Sequence, residues 1–179
     1  EGALAHRSGN ADRAEEALRT ALRKDPELIM ARNLLATILR QKGDYAEAAK
    51  HFVRVAELDP YVAQNHYNVG LMYHYLNRLQ EAPAAYLQAL KLDPQDANYH
   101  TYLGEALLLQ GGETPPPEAE ALFRRALELQ PGNPAGRFYL ATLRDARGEH
   151  RQAIDELIQL LRDAPPGAPW EGQVRQAVT

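Results

Sequence analysis

The chain has 179 residues, with 24 acidic and 20 basic side chains, a formal net charge of −4 and no cysteine. Disulfides and thiolate metal sites are therefore excluded. A net-acidic chain without a run of Lys or Arg along one face argues against nucleic acid as a partner, and no apolar stretch reaches the roughly 18 residues of a membrane-spanning helix.

Proline recurs at a fixed step. Pro26, Pro60 and Pro94 lie 34 residues apart, Pro131 follows after 37 and Pro165 after another 34. A constant step of this size marks a stacked array of helical hairpins, an all-α architecture. Placing each proline at position 32 divides the chain into a partial repeat, 1–28, and full repeats 29–62, 63–96, 97–133 and 134–167, followed by 168–179.

The partial repeat begins at position 7. It is expected to hold the end of a first helix, a turn, and a second helix carrying Ala14 and Leu18. An opening inside a repeat is expected of a piece of a longer protein. The next repeat starts a helix at Ile29 with Ala36 on its apolar stripe. It turns at Gly43-Asp44, where a left-handed C-cap is needed, and carries Ala48, Phe52 and Val55 on its second helix. Asp59-Pro60 ends that helix, because the residue before proline avoids the helical region. The third stretch repeats the pattern with Gly70, then Ala82, Tyr86 and Ala89, ending at Asp93-Pro94. Pro83 falls near the start of a helix, where its missing N–H costs least.

Repeat 97–133 carries Gly104, then Ala119, Phe123 and Ala126, and takes up three extra residues in an enlarged turn from Gly111 to Pro117. Repeat 134–167 carries Ala141, Gly148-Glu149, Ala153, Leu157 and Leu160. Pro169-Trp170-Glu171 then starts a short helix toward Val178, expected to cover the last apolar face. Across the repeats, positions 4, 7, 8 and 11 form one helical stripe and 20, 24, 27 and 28 another. Small residues at 8 and 20 let two helices approach closely. The large residue at 24 is expected to fill the space toward the next hairpin.

Candidate chemistry is sparse. His6, His51, His66, His74, His100 and His150 show no helical metal-site spacing with a third ligand, so no metal and no cofactor are expected. His66 and His100 both fall at position 4, where packing between repeats explains an aromatic. Glu15-Glu16 and Asp155-Glu156 are read as solvated helix faces, and Gly111-Gly112 as turn chemistry. With no G-x-S-x-G and no phosphate-binding glycine loop, the chain is not expected to be an enzyme.

These residues resemble the tetratricopeptide repeat family over nearly the whole chain. The resemblance implies a right-handed superhelical solenoid of hairpins with a C-terminal capping helix. It also implies that positions 2, 5, 6, 9, 12 and 13 of each first helix line a concave groove. The groove residues so implied are Leu34 and Thr37, then Gln64, Tyr67, Asn68, Leu71, His74 and Tyr75. Asn98, Tyr102, Glu105 and Leu109 follow, and finally Phe138, Tyr139 and Thr142. Tyr67, Tyr75, Tyr102, Phe138 and Tyr139 would make a nearly continuous aromatic track. Tyrosine supplies wide contact area at little entropic cost, and such a surface suits an amphipathic helix. For Phe138 and Tyr139, packing between repeats is an equal reading. Positions 2, 5 and 6 carry no Lys or Arg in any full repeat, so the family's clamp for a terminal carboxylate is not expected.

A narrower resemblance covers 98–178. Tyr102-Leu103-Gly104-Glu105-Ala106-Leu107, Gly111-Gly112, Thr114-Pro115, Pro117-Glu118-Ala119, Pro131-Gly132-Asn133-Pro134 and Ala168-Pro169-Trp170 are similar to the periplasmic repeat domain of bacterial cytochrome c maturation proteins. This implies a groove that holds the C-terminal helix of a c-type apocytochrome for the haem ligation machinery, in the periplasm, without haem on the domain itself. Two alternatives stay open: a scaffold in a secretion, pilus or envelope complex, and a regulatory module of a larger protein.

Overall fold

The computed structural model describes residues 2–112 and 115–178, the side chains of 2–9 aside. Glu1 and Thr114, and the side chain of His6, thus lie outside the described residues. Among the described residues the only regular elements are helices, in two units, Glu1–Leu92 and Asp93–Thr179. The first unit holds α1 (Gly2–Lys24), α2 (Ile29–Gln41), α3 (Tyr45–Leu58), α4 (Ala63–Tyr75) and α5 (Ala82–Leu92), each packed on the next. The second holds α6 (Ala97–Gly111), α7 (Pro117–Leu129), α8 (Pro134–Ala146), α9 (His150–Arg162) and α10 (Glu171–Val178), also packed in order, with α6 touching α8 as well. The all-α hairpin architecture expected from the proline step is the one found.

The turns follow from backbone chemistry. Gly43 and Gly148 take φ of 83° and 84° at equivalent positions, and Asp44 N–H closes onto the Leu39 carbonyl at 2.9 Å. That is the six-to-one bond of a left-handed helix stop. The α4/α5 hairpin uses Asn77 at the same position, at φ 56°. Asparagine tolerates this region because its short side chain can bond locally. Pro83 is the second residue of α5, as its missing N–H requires.

α1 departs from expectation. The turn expected after a short first-helix stub is absent, and one helix runs from Gly2 to Lys24. A stub of a few residues has too little apolar surface to bury and cannot sustain a helix alone. Continuing the second helix through Gly9-Asn10 satisfies the backbone instead.

Ala48, Ala82, Ala119 and Ala153 are 0–1% exposed, so the close crossings at position 20 are present in every described hairpin. The large residue at position 24 does more than the filling toward the next hairpin expected of it. Tyr86 and Phe123 are fully buried against the glycine of their own hairpin, Gly70 and Gly104, and a Cβ on Gly104 would stand 2.8 Å from the Phe123 ring. The glycine leaves the room that the ring fills. Phe123 also stacks on Tyr139 of the following hairpin, centroids 4.9 Å apart, so one ring joins two hairpins. At the far end α10 seats Val174, 1% exposed, against Ala141, Leu157 and Leu160, with Trp170 and Val178 alongside. The expected capping helix is therefore formed.

Position 4 adds hydrogen bonds to the packing expected of it, and His100, 8% exposed, is buried there. Arg32 Nε donates to the Pro26 carbonyl at 2.6 Å, His66 Nε2 to Pro60 at 2.8 Å and His100 Nε2 to Pro94 at 3.0 Å. Proline leaves its own carbonyl outside the preceding helix, and these side chains satisfy it.

Candidate functional site

In the first unit the groove positions lie on α2 and α4. On α2, Leu34 is 52% exposed and Met30, beside it, 72% exposed, while the Thr37 hydroxyl donates back to the Asn33 carbonyl. On α4, Gln64 donates to Asn68 at 3.0 Å, one turn apart along the same face. Tyr67 is half-buried, its ring 6.0 Å from that of Tyr86. His74 stands edge-on to Tyr75, and Tyr75 lies stacked on Tyr45 of α3 at 4.5 Å while remaining half exposed. Tyr45 was not among the expected residues. It is the first residue of a second helix, where the repeat pattern assigns no face. Leu71 is a correction: at 7% exposed it belongs to the core, because Val69, Gly70 and Met72 beside it are buried too and this part of α4 is covered on more than one side.

In the second unit the groove positions lie on α6 and α8, which touch. Asn98 is exposed, Leu109 is 45% exposed, and Tyr102 and Glu105 are half-buried one turn apart on α6. Phe138 and Tyr139, left open between groove and packing, are both engaged in packing. Phe138 lies against the cluster of Ala141, Leu157, Leu160 and Val174, and Tyr139 against Ala119, Phe123 and Leu143. Thr142 donates to the Tyr139 carbonyl at 2.8 Å. The Tyr139 hydroxyl donates to the Glu105 carboxylate. Burial, then the Glu105 charge and this hydrogen bond, push the phenol well above its usual range. The structure thus brings Tyr102, Glu105 and Tyr139 together in the second unit; in the first, Tyr67 lies by Tyr86 and Tyr75 by Tyr45.

Two features lie outside the expected positions. Leu28, Tyr61 and Val62 leave 40–83% of their surface exposed where α2 and α4 begin. A cleft of about 420 Å³ opens between α7, α8 and α9 over Leu127 and Leu140. Its cations are paired within the unit, Arg137 with Asp163 at 2.7 Å and Arg144 with Glu156. Among the described residues no three His, Asp or Glu side chains come together as a metal site, and no helix is long and apolar enough to cross a membrane.

Family models described as tetratricopeptide repeat match residues 1–63 and 116–174, and one described as TPR repeat matches 70–111. The chain is 36% identical over 102 residues to the cytochrome c-type biogenesis protein CycH of Rhizobium meliloti (strain 1021), covering 56% of this chain and 26% of that protein. It is 32% identical over 132 residues to superkiller complex protein 3 of Homo sapiens, covering 70% of this chain and 8% of that one. It thus spans about a quarter or less of the length of these curated relatives. The crystal structure of a thermophilic TPR protein of Thermus thermophilus has the same fold, with TM-score 0.71 at 22% identity, covering 99% of this chain and 95% of that chain.

Proposed function

We propose that this chain, which belongs to the tetratricopeptide repeat family, is a non-catalytic adaptor. It holds a helical or extended segment of a client protein on the first-helix faces of its hairpins. The observation that carries this is the exposure of large apolar side chains on those faces. Met30 and Leu34 on α2, Tyr75 on α4 and Leu109 on α6 leave 45–72% of their surface to solvent. Tyr75 does so on a fixed aromatic base, which keeps the ordering cost of binding low.

The client is a c-type apocytochrome, bound through its C-terminal helix during cytochrome c maturation in the periplasm. Support comes from the likeness to CycH over 102 residues. A second reading, a scaffold within another multiprotein assembly, is favoured by the likeness to superkiller complex protein 3, which covers more of the chain. Calorimetric titration with a peptide from the C-terminal helix of an apocytochrome c, against its scrambled control, separates the two. Sequence-dependent binding that Tyr67→Ala/Tyr102→Ala abolishes, with helicity retained, supports the cytochrome reading. Absence of binding to such peptides removes it and leaves the scaffold.

A further inference from the structure

The joint ahead of α2 is latched differently from the joints ahead of α4 and α6. His66 and His100 reach the carbonyls of Pro60 and Pro94 through Nε2, a donor that protonation leaves in place. At the first joint the latch is Arg32. Its Nε donates to the Pro26 carbonyl at 2.6 Å, and its Nη1 stands 3.4 Å from Nδ1 of His51 on α3. An arginine has donors only, so this second contact is a hydrogen bond while Nδ1 carries no proton. The His51 side chain is 12% exposed, and its Nε2 is buried with no hydrogen-bond partner.

Cations outnumber anions around the ring. Arg32 of α2, Arg19 of α1 and Lys50 of α3 face it against one carboxylate, Glu47. Glu47 Oε1 stands 3.9 Å from His51 Nε2, and its Oε2 already takes Lys50 at 2.7 Å. α4 also packs on α3 and carries no Lys, Arg, Asp or Glu; its histidines lie against the Pro60 carbonyl and the Tyr75 ring. Burial first, then the Arg32 charge, hold the imidazole below its ordinary 6.5, so it is neutral in the closed joint. A second tie between α1 and α2, Lys42 on Glu15 at 2.8 Å, withstands mild acid, because Lys42 and Arg19 hold the Glu15 carboxyl below its ordinary 4.5.

We propose that the Pro26 joint is a pH-sensitive latch. Protonation of His51 in mild acid turns the acceptor facing Arg32 into a donor, Arg32 leaves the Pro26 carbonyl, and the end of α1 swings away from α2 about the Lys42 tie. The half-buried Leu18, Ala21 and Leu22 are released with it. The device is independent of which client the chain holds.

Hydrogen exchange of the full chain at about pH 7.5 and about pH 5.5, corrected for the intrinsic rate at each, follows the opening of residues 17–24 against that of α3 and α4. With the open-joint histidine at its ordinary 6.5, the rise in the opening constant has a ceiling of about tenfold. The expected result is a severalfold rise confined to α1 and the Pro26 joint. His51→Asn keeps a carbonyl oxygen for Arg32, matches histidine in helix propensity and cannot be protonated, so no rise is expected. Circular dichroism at neutral pH checks that this variant is folded. An equal rise in His51→Asn, a rise shared by α3 and α4, or no rise in the wild type overturns the latch, as does an end of α1 already unprotected at neutral pH. NMR titration of the wild-type imidazole is expected to fall below 6.5 and to move up in Arg32→Met. A His51 that titrates at or above 6.5 in the folded chain overturns the proposal even if His51→Asn fails to fold.

Discussion

Tyr86 packs so closely on Gly70 that a Cβ at the glycine would meet the ring at 2.7 Å. The ring is fully buried and has nowhere to retreat. Gly70→Ala gains about 1 kcal/mol of helix propensity and is nevertheless expected to destabilise, because overpacking a tight core costs about 1–3 kcal/mol. The double variant Gly70→Ala/Tyr86→Leu copies the Ala141 and Leu157 pair of the last hairpin and is expected to recover part of the loss. Denaturant melts of the two singles and the double decide it; strictly additive effects would mean that the two side chains do not compete for one space.

Leu34 and Leu71 separate surface from core. Leu34→Ala removes a half-exposed side chain, so stability is expected to change by no more than about 0.5 kcal/mol. Leu71→Ala opens a cavity at a site 7% exposed and is expected to cost about 2–4 kcal/mol. Equal thermal midpoints for the two variants would show that the burial of α4 is misassigned.

Asn133 ties α6 to the start of α8. Its Oδ1 accepts from Gly136 N–H at 2.8 Å and lies 3.5 Å from the oxygen of the Thr101 hydroxyl, which donates to the Ala97 carbonyl at 2.9 Å, in a site 4% exposed. Asn133→Ala removes an N-cap and leaves a buried donor, for an expected loss of about 1–2 kcal/mol. Asn133→Asp retains the acceptor and is expected to lose less. Urea unfolding of the pair checks this, and the reverse order would place the value of Asn133 in its amide donors.

Glu120 gives a pH dependence. Arg147 first, then Arg124, hold its carboxyl at about 2 against an ordinary 4.5. A carboxyl lowered in the folded state stabilises above its unfolded value and loses that contribution as the pH falls from about 4.5 toward about 2. Glu120→Gln is thus expected to reduce stability by about 1 kcal/mol at neutral pH, with the gap to the wild type closing in acid. A gap that stays constant between about pH 7 and pH 3 would assign the loss to packing instead of charge.

The architecture was readable because proline and glycine leave marks that burial does not alter. Pro60 and Pro94 follow the ends of α3 and α5, and Gly43 and Gly148 stand where a positive φ is needed. Asn77 does the same work with a weaker mark, since asparagine is common in many other settings. The unbroken α1 was not readable: Gly9-Asn10 has turn chemistry, and the outcome depends on how much apolar surface a short stub can bury. The pattern gave the face of each first helix but not its exposure. Leu34 and Leu71 look alike as letters, and only the surrounding packing separates them. The meeting of Glu105 with Tyr139 joins residues a full repeat apart and is invisible to any local window.

The proline carbonyls caught by Arg32, His66 and His100 bear on how the chain folds. Each bond spans six residues, so the joint ahead of α2, α4 or α6 is set by a contact that closes in a single short loop. Loops of that length close in well under a microsecond, and chains rich in such short-range contacts cross low entropic barriers. Folding can then start at whichever joint closes first and spread outward, with no obligatory nucleus. Loss of one joint would slow propagation past it and leave the start of folding elsewhere untouched.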